Sequence, residues 1–475
     1  MPKWLKRTIL TIVSVIVLLF VVAVGLLLYY NIPSNGAGMA AKAVCSATFV
    51  AGRDNGQDVF AEDVLPASPA FKAISTNVNQ QEKSVTGKFL GMFERRASLL
   101  PDRGCVLDEP PDPAAQPYVP PPPNPAPWPQ GDAALAQNQW PAGVNAERLQ
   151  QVVEQAFVGA GDPNAANARG VAIVQDGKLL ARKEAAGFPE GTALHGWSMT
   201  KTVAGMLAFK KFQEMGLEVK TPVVDAFPPG RAPEWVAEWR KDDRAKITIA
   251  DLMYMKAGLD LPEGYEPWDP VVQMLNGEPN MAGWAANHKL VHPPGTYFEY
   301  SSAVANILAQ VAQGQFADNR EYWSYPYREL FDKIGADSAT LETDTFGTWV
   351  GSSYLWAGVA DWARLGQVML DDGRWKGEQV LPAEWLRLAA TPGLPEGDGA
   401  GYGAQTWIPA NPVGGECKGT PGLPEDTLMM EGHWGQVVAM IPSKRAVIVR
   451  LGWTTTSGQF NGCQFIADAA GALGK

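Results

Sequence analysis

An uncharged apolar stretch opens the chain and places a strong constraint on its fold. Thr8 to Tyr30 is made mainly of Ile, Val, Leu and Phe, long enough to cross a bilayer as a helix. Lys3, Lys6 and Arg7 precede it, so the positive-inside rule predicts a cytoplasmic tip and an exported remainder. A cleaved signal peptide is the alternative, but its apolar region is normally shorter. We expect an uncleaved inner-membrane anchor, with the remainder periplasmic or otherwise extracytoplasmic.

The cysteines agree with an oxidising destination. The chain has four of them, an even number, and three pairings are possible. We favour Cys45 with Cys105 and Cys417 with Cys463, because each pair then closes a loop inside one segment. Four buried free thiols are the alternative, which is less typical of proteins outside the cytoplasm.

Charge and composition argue against several classes of function. A formal net charge of -11 disfavours nucleic acid as a partner, because such binders need a basic face. The four histidines form no H-E-x-x-H motif, and the chain has no phosphate-binding loop motif. We therefore expect no metal and no cofactor. The expected partners are a small-molecule substrate and the membrane, and protein partners are not predicted.

The chain divides by composition into four predicted parts. They are the cytoplasmic tip and anchor (1–30), a small Cys-containing module (31–108), a proline-rich linker (109–133) and a large enzyme domain (134–475). The linker composition favours an extended, semi-rigid spacer. An ordered strap along the enzyme and a partner-binding segment are the alternatives.

Periodicity predicts a mixed α/β enzyme domain. Residues 171–181 form a hairpin signal around Asp176-Gly177, and Ser198 to Met215 has apolar residues at helical spacing. A second helix is predicted at 303–313 and a terminal helix at 464–473. Gln436 to Ile441 and Ala446 to Leu451 read as paired strands.

The first chemical motif is Trp197-Ser198-Met199-Thr200-Lys201, at the start of a predicted helix. Lys201 lies one turn after Ser198 on the same face, where it can take the proton of the hydroxyl if its own pKa is lowered. Burial and the positive end of the helix dipole both lower the pKa of a lysine. Alone, a serine and a lysine at this spacing fit equally well with a helix cap and a surface lysine.

Two further motifs strengthen this interpretation. Tyr300-Ser301-Ser302 precedes the second helix, where Tyr300 could pass a proton to a leaving group and Ser302 could hold Lys201. Gly432-His433-Trp434-Gly435-Gln436 opens a strand. Gly435 would let a substrate approach the backbone, and the N–H groups of Gln436 and Ser198 could form an oxyanion hole. Packing and turn roles are the ordinary alternatives for these residues.

The order of the three motifs resembles the serine β-lactamase and penicillin-binding-protein superfamily. The chain looks most like the class C-related branch, which includes 6-aminohexanoate-dimer hydrolases and β-lactamase-like esterases, over about residues 165 to 470. The resemblance implies an antiparallel sheet flanked by helices, with a mostly helical subdomain inserted. It also implies that Ser198 is acylated, that Lys201 and Tyr300 move protons and that His433 lines the pocket.

Two departures from the family pattern bear on the substrate. Tyr300-Ser301-Ser302 stands where the family often has Y-x-N, and His433-Trp434-Gly435 stands where it has K-T-G. A mostly neutral histidine is a poorer receptor for a substrate carboxylate than a lysine. The sequence therefore predicts an exported serine hydrolase of neutral esters or non-peptide amides. A β-lactamase or D-Ala carboxypeptidase and a non-catalytic binding protein of the same fold are the alternatives.

Other aromatic residues are weaker pocket candidates. Tyr265 and Trp268 lie between the first two motifs, where the family builds substrate walls, and Tyr402 lies in a Gly-rich loop. Trp434 would add bulk beside the site. Simple packing explains each of them equally well.

Overall fold

The computed structural model describes residues 2–53, 56–122, 124–162 and 164–474. The first helix, α1 (Lys3–Tyr29), has 27 residues and is not buried, and its most apolar window has a mean hydropathy of 3.1. At a rise of about 1.5 Å per residue it is longer than the roughly 30 Å hydrocarbon layer of a bilayer. Its length and composition suit a membrane span, while its role as an anchor or a signal sequence stays a prediction.

A second unit follows α1 directly. Its elements are α2 (Ile32–Cys45), α3 (Gly56–Val59), β1 (Ile74–Asn79), β2 (Ser84–Phe89), β3 (Met92–Leu100) and β4 (Gly104–Leu107). The four strands form an antiparallel sheet in the order β1-β2-β3-β4, and α2 packs on it. The approach is close because Gly87 lacks a side chain: a Cβ there would lie 2.3 Å from the Ala37 carbonyl oxygen. We call residues 31–108 the N-terminal module, and its boundaries remain a prediction.

Both favoured cysteine pairs are joined. Cys45 at the end of α2 is bonded to Cys105 in β4, with the two Cα atoms 6.0 Å apart. Cys417 is bonded to Cys463, with 5.4 Å between their Cα atoms.

The proline-rich segment contacts the parts on both sides of it. The Tyr118 hydroxyl donates to the Gly191 carbonyl at 2.9 Å, and the Tyr118 N–H donates to the Phe49 carbonyl at 2.8 Å. Trp128 is only 4% exposed and packs edge-on against Trp375 in the main core. These contacts are the ones that an ordered strap along the protein would make, and the linker role of the segment stays a prediction. A spacer holds its neighbours apart, whereas these aromatic side chains gain burial by joining them.

The remaining chain forms the enzyme domain around a five-stranded antiparallel sheet in the order β12-β13-β14-β5-β6. Its elements in chain order are α4 (Ala146–Ala156), β5 (Ala168–Gln175), β6 (Lys178–Glu184), β7 (Leu194–His195), α5 (Thr200–Glu214), α6 (Glu234–Trp239), α7 (Ile249–Met253), α8 (Pro270–Gly277), α9 (Met281–Ala286), α10 (Ser302–Gln313), α11 (Asn319–Pro326), α12 (Asp332–Ile334), β8 (Thr340–Leu341), β9 (Leu355–Ala357), α13 (Val359–Leu370), β10 (Arg374–Trp375), β11 (Glu378–Gln379), α14 (Glu384–Ala389), β12 (Leu428–Gly432), β13 (Gln436–Ile441), β14 (Ala446–Gly452) and α15 (Gly462–Ala472). The predicted hairpin is β5–β6, the predicted paired strands are β13 and β14, and the three predicted helices are α5, α10 and α15.

Helices cover both faces of the sheet. α4 and α15 pack on one face, where strand residues such as Ile173 and Ile448 are fully buried. α13 packs on the other face, which joins the large core of the helical part. Because strand side chains alternate between faces, both cores draw on the same strands. α10 packs against α5, so the first turns of these helices lie together near the β12–β13 turn.

Candidate active site

The nucleophile candidate sits on a constrained turn. Ser198 lies in a 3-10 turn, Trp197–Met199, immediately before α5. Trp197 has a φ of 48°, in the left-handed region that bulky residues rarely adopt. The β12–β13 hairpin approaches closely, because a Cβ at Gly432 would lie 2.2 Å from the Gly196 carbonyl oxygen. The turn therefore presents Ser198 between α5 and the end of the sheet.

Lys201 is held against Ser198. Its Nζ lies 2.9 Å from Ser198 Oγ, 2.9 Å from Ser302 Oγ and 3.1 Å from the Ser352 carbonyl oxygen. The side chain is 1% exposed, and burial lowers the pKa of Lys201 to about 8, while the carboxylate of Glu263 opposes that shift. Three partners match the three N–H donors of an ammonium group, and the lowered pKa makes the neutral amine accessible near neutral pH.

Tyr300 completes the group around Lys201. The Lys201 Nζ lies 4.6 Å from the centroid of its ring. Burial raises the pKa of Tyr300 well above its ordinary value, with smaller contributions from Tyr402 and Glu263 and a partial offset from a hydrogen bond with Ser198. The phenol is therefore neutral at physiological pH and can give a proton, whereas Lys201 is the more accessible base.

Glu263 is a site residue that the sequence did not indicate. Its carboxylate accepts a hydrogen bond from Ser302 Oγ at 2.7 Å and another from the Ser302 N–H at 2.7 Å. The Tyr265 hydroxyl also donates to it at 3.2 Å. Glu263 lies in a loop with no periodic pattern, far in sequence from all three motifs. Only the folded structure connects it with Lys201, through the hydroxyl of Ser302.

His433 and Trp434 lie beside Ser198 on the same cavity. The His433 ring packs 4.3 Å from that of Tyr265, and the Trp434 ring meets Trp197 edge-on at 5.3 Å. Burial lowers the pKa of His433 to about 4, so its imidazole is neutral at pH 7. This wall of the site is therefore aromatic, and His433 gives it no positive charge at pH 7.

Four predicted residues have other positions. Gly435 faces Arg450, whose Nη1 would lie 2.6 Å from a Cβ there, and the Gln436 side chain donates to the Gly452 carbonyl at 2.6 Å. These two residues brace the turn, and the oxyanion role of the Gln436 N–H stays a prediction. Tyr402 is buried behind Tyr300, and Trp268 is 53% exposed. Among the described residues, the cavity lining contains none of these four, and it also lacks Lys201 and Tyr300.

His195 is a second residue that the sequence did not single out. Its ring is stacked between Trp197 at 4.0 Å and Trp356 at 4.5 Å. Burial lowers its pKa to about 3, and its Nε2 pairs with the Ser353 carbonyl at 2.8 Å. A neutral, stacked imidazole in this place braces the turn that carries Ser198.

The described residues contain no group of three or more His, Cys, Asp or Glu side chains placed to hold a metal ion.

Known proteins resemble this chain both in a family model and in solved structures. Solved structures similar to this chain include a family VIII carboxylesterase, with 13% identity, a TM-score of 0.50 and coverage of 72% of this chain and 99% of that one. A candidate 6-aminohexanoate-dimer hydrolase from Bacillus anthracis has 19% identity, a TM-score of 0.48 and coverage of 65% and 78%. A penicillin-binding-protein homologue from Caulobacter crescentus has 14% identity, a TM-score of 0.49 and coverage of 70% and 98%.

No curated protein matches the chain. Residues 146–464, more than half of the chain, match the Beta-lactamase family model. The chain belongs to the beta-lactamase family.

Proposed function

We propose that this protein is an exported, membrane-anchored serine hydrolase that cleaves an ester or a non-peptide amide through an acyl-enzyme on Ser198. The observation that carries the proposal is the 2.9 Å contact between Lys201 Nζ and Ser198 Oγ, made by a lysine whose pKa burial lowers to about 8. The Lys201 Nζ contacts two serine hydroxyls and a backbone carbonyl, none of which is a carboxylate. The lysine is thus free to lose its proton.

The reaction follows from these positions. Neutral Lys201 takes the Ser198 proton as Oγ bonds to the substrate carbonyl carbon, which gives a tetrahedral oxyanion. The bond to the leaving alcohol or amine then breaks, and a proton from Lys201 reaches the leaving atom by way of Tyr300. Water then attacks the acyl carbon and loses its proton to Lys201. The bond between that carbon and Ser198 Oγ breaks, Lys201 returns the proton to Oγ, and the acid leaves.

The walls of the site favour a substrate without a carboxylate. The neutral imidazole of His433 and the indole of Trp434 supply no charge to pair with an anion. This supports a neutral ester or amide over a penicillin-like substrate, which carries a carboxylate. The expected cellular place of the reaction rests on the apolar helix α1 and on the two disulfides.

The test compares two chromogenic substrates with the full chain. Hydrolysis of p-nitrophenyl butyrate and of nitrocefin is followed for the wild type, for Ser198→Ala and for Ser443→Ala, a serine exposed on a distant turn. We expect ester turnover in the wild type and in Ser443→Ala, its loss in Ser198→Ala, and little nitrocefin turnover. Ester turnover that survives in Ser198→Ala would refute the mechanism. Rapid nitrocefin turnover would instead identify a β-lactamase.

A serine-directed fluorophosphonate distinguishes an enzyme from a non-catalytic binding protein. Labelling of the wild type and of Ser443→Ala, but not of Ser198→Ala, is expected for an activated nucleophile. An unlabelled wild-type chain that also fails to turn over either substrate would support the non-catalytic alternative.

A further inference from the structure

The N-terminal module forms a wall of the active-site cavity. The cavity has a volume of about 380 Å³, and its lining includes Ser198, Glu263 and His433 together with Met39 and Phe71 of the module. A volume of this size suits a small-molecule ligand. The part of the chain that belongs to the enzyme family begins at residue 146, so this wall is an addition to the family fold.

One face of α2 is turned toward the cavity. Ile32, Gly36, Met39 and Ala43 all line it, and their spacing of three or four residues places them on the same side of the helix. All four are only partly buried. The opposite side of α2, including Ala37, Ala40, Ala41 and Val44, is fully buried against the module. The cavity side of α2 is therefore mainly apolar, although Asn35 and Lys42 also line the cavity, and its apolar residues are less deeply buried than those of the opposite side.

Several neighbours of α2 in the lining are hydrocarbon as well. They come from the segment before β1 and from the first two strands, namely Val64, Ala67, Phe71, Ile74 and Phe89. Three charged groups in the same lining, including Lys42 of α2 itself, already have partners. The Lys42 ammonium is paired with Glu342, and Asp63 accepts from Arg53 and Arg169. A ligand in this part of the cavity would thus meet apolar surface and neutralised charges.

The apolar end of the cavity lies close to where α1 ends. α1 stops at Tyr29, α2 begins at Ile32, and Ile32 itself lines the cavity. Phe89 is also in the lining, and the hairpin turn that follows it exposes Leu90 and Met92 by 64% and 58%. If α1 spans a membrane, Ile32 lies just beyond the end of the span.

We propose that this cavity holds a long hydrocarbon chain of the substrate, with the ester or amide carbonyl at Ser198 and the chain lying along α2. The inference rests on the proposed function and narrows its substrate class to lipid-like esters or amides. A polar substrate would leave the apolar side of α2 in contact with water, whereas an alkyl chain would remove that surface from water.

The test measures how turnover depends on chain length. The full chain is reconstituted in nanodiscs and given monomeric p-nitrophenyl butyrate or p-nitrophenyl decanoate, and the ratio of their kcat/KM values is recorded. Each methylene group removed from water favours binding by about fourfold. Because part of the chain stays hydrated, we expect the wild type to prefer decanoate by at least roughly tenfold.

Substitutions in the α2 wall should remove that preference. Met39→Gln keeps the length of the side chain but adds an amide, and Ala43→Phe fills the space; each should lower the decanoate-to-butyrate ratio at least roughly tenfold. Met39→Leu should retain the preference. Met215→Gln is the matched control, since Met215 is 44% exposed and lies outside the cavity lining. Melting temperatures identify any variant that fails to fold, and such a variant is replaced by Gly36→Leu.

The outcomes separate the inference from the proposed function. A wild type that hydrolyses butyrate but shows no preference for decanoate, or variants that leave the ratio unchanged, would overturn the cavity assignment alone. A wild type inactive on both esters would instead overturn the proposed function. Decyl acetate, which carries its chain on the alcohol, and a long-chain ester embedded in lipid vesicles then show which part of the substrate enters the cavity and whether it comes from the membrane.

Discussion

Lys42 and Glu342 form an ion pair that is almost entirely withdrawn from water, although 300 residues separate them in the chain. Lys42 lies on α2 of the module, and Glu342 lies in the enzyme domain just after β8. The same carboxylate accepts hydrogen bonds from Ser46 Oγ, from the Cys105 N–H at 2.8 Å and from Trp356 Nε1 at 2.9 Å. This one carboxylate therefore joins α2, β4 and the enzyme domain.

Replacing this carboxylate should loosen the module. In Glu342→Gln the Lys42 ammonium stays buried without its counter-ion, and breaking a buried pair in this way costs about 3 kcal/mol of unfolding free energy. Burial already lowers the pKa of Lys42 while Glu342 raises it, so the lysine should lose its charge more readily in the variant. Chemical denaturation measures the loss. The double variant Lys42→Met/Glu342→Gln should recover part of it, and a double variant as unstable as the sum of its single changes would contradict the pairing.

The activity should depend on the protonation of Lys201. Its pKa is lowered to about 8, so the amine is mostly protonated below that pH and mostly neutral above it. A base must be neutral to take the Ser198 proton, and we expect kcat/KM to fall about tenfold per pH unit below the inflection. The pH profile of p-nitrophenyl butyrate hydrolysis measures this. A profile that is flat from pH 6 to pH 9 would contradict the assignment of Lys201 as the base.

Lys201→Arg provides the matched control for that profile. A guanidinium group stays charged at any accessible pH and cannot act as a base, although it keeps the positive charge and can donate hydrogen bonds. We expect turnover to be lost across the whole range, while labelling of Ser198 falls in parallel.

The sequence alone was sufficient to predict helices, strands and contacts that depend on residues close together in the chain. Apolar residues at helical spacing predicted α5, and short apolar runs around turn residues predicted β5, β6 and the pair β13–β14. Ser198 and Lys201 meet because residues three apart on a helix lie on one side. These features were predicted because the information lies within a few residues.

Contacts between distant segments were not predictable in this way. Glu263 meets Ser302 from a loop without periodicity, and Lys42 finds Glu342 only once both domains have folded. A Cβ on Gly435 would meet Arg450 across a tight turn, a neighbour that the sequence did not indicate, while the approach of a substrate to Gly435 stays a prediction. In each case the decisive partner comes from tertiary packing, which a single sequence does not display.

Glu263 should set the pH at which Lys201 becomes neutral. Its negative charge raises the pKa of Lys201, against the larger lowering by burial. Glu263→Gln removes that charge, so the inflection of the pH profile should move to lower pH, and kcat should fall about tenfold because Ser302 loses a charged acceptor. Glu263→Asp keeps the charge and should leave the inflection near its original place. An unchanged inflection in Glu263→Gln would show that the carboxylate acts only in packing.

Removing either disulfide should cost a similar free energy of unfolding, but only the removal of Cys45–Cys105 should change the decanoate-to-butyrate ratio. They close loops with sequence separations of 60 and 46 residues, so chain entropy predicts that removing either one costs about 4 kcal/mol. Cys45–Cys105, however, fixes the end of α2, the helix that lines the cavity, whereas Cys417–Cys463 ties a loop to α15. Replacing Cys45 and Cys105 by alanine should therefore lower the decanoate-to-butyrate ratio, and the same change at Cys417 and Cys463 should not. Melting temperatures and the two esters measure both effects. Equal changes of the ratio in the two variants would show that general loosening, and not the position of α2, governs the preference.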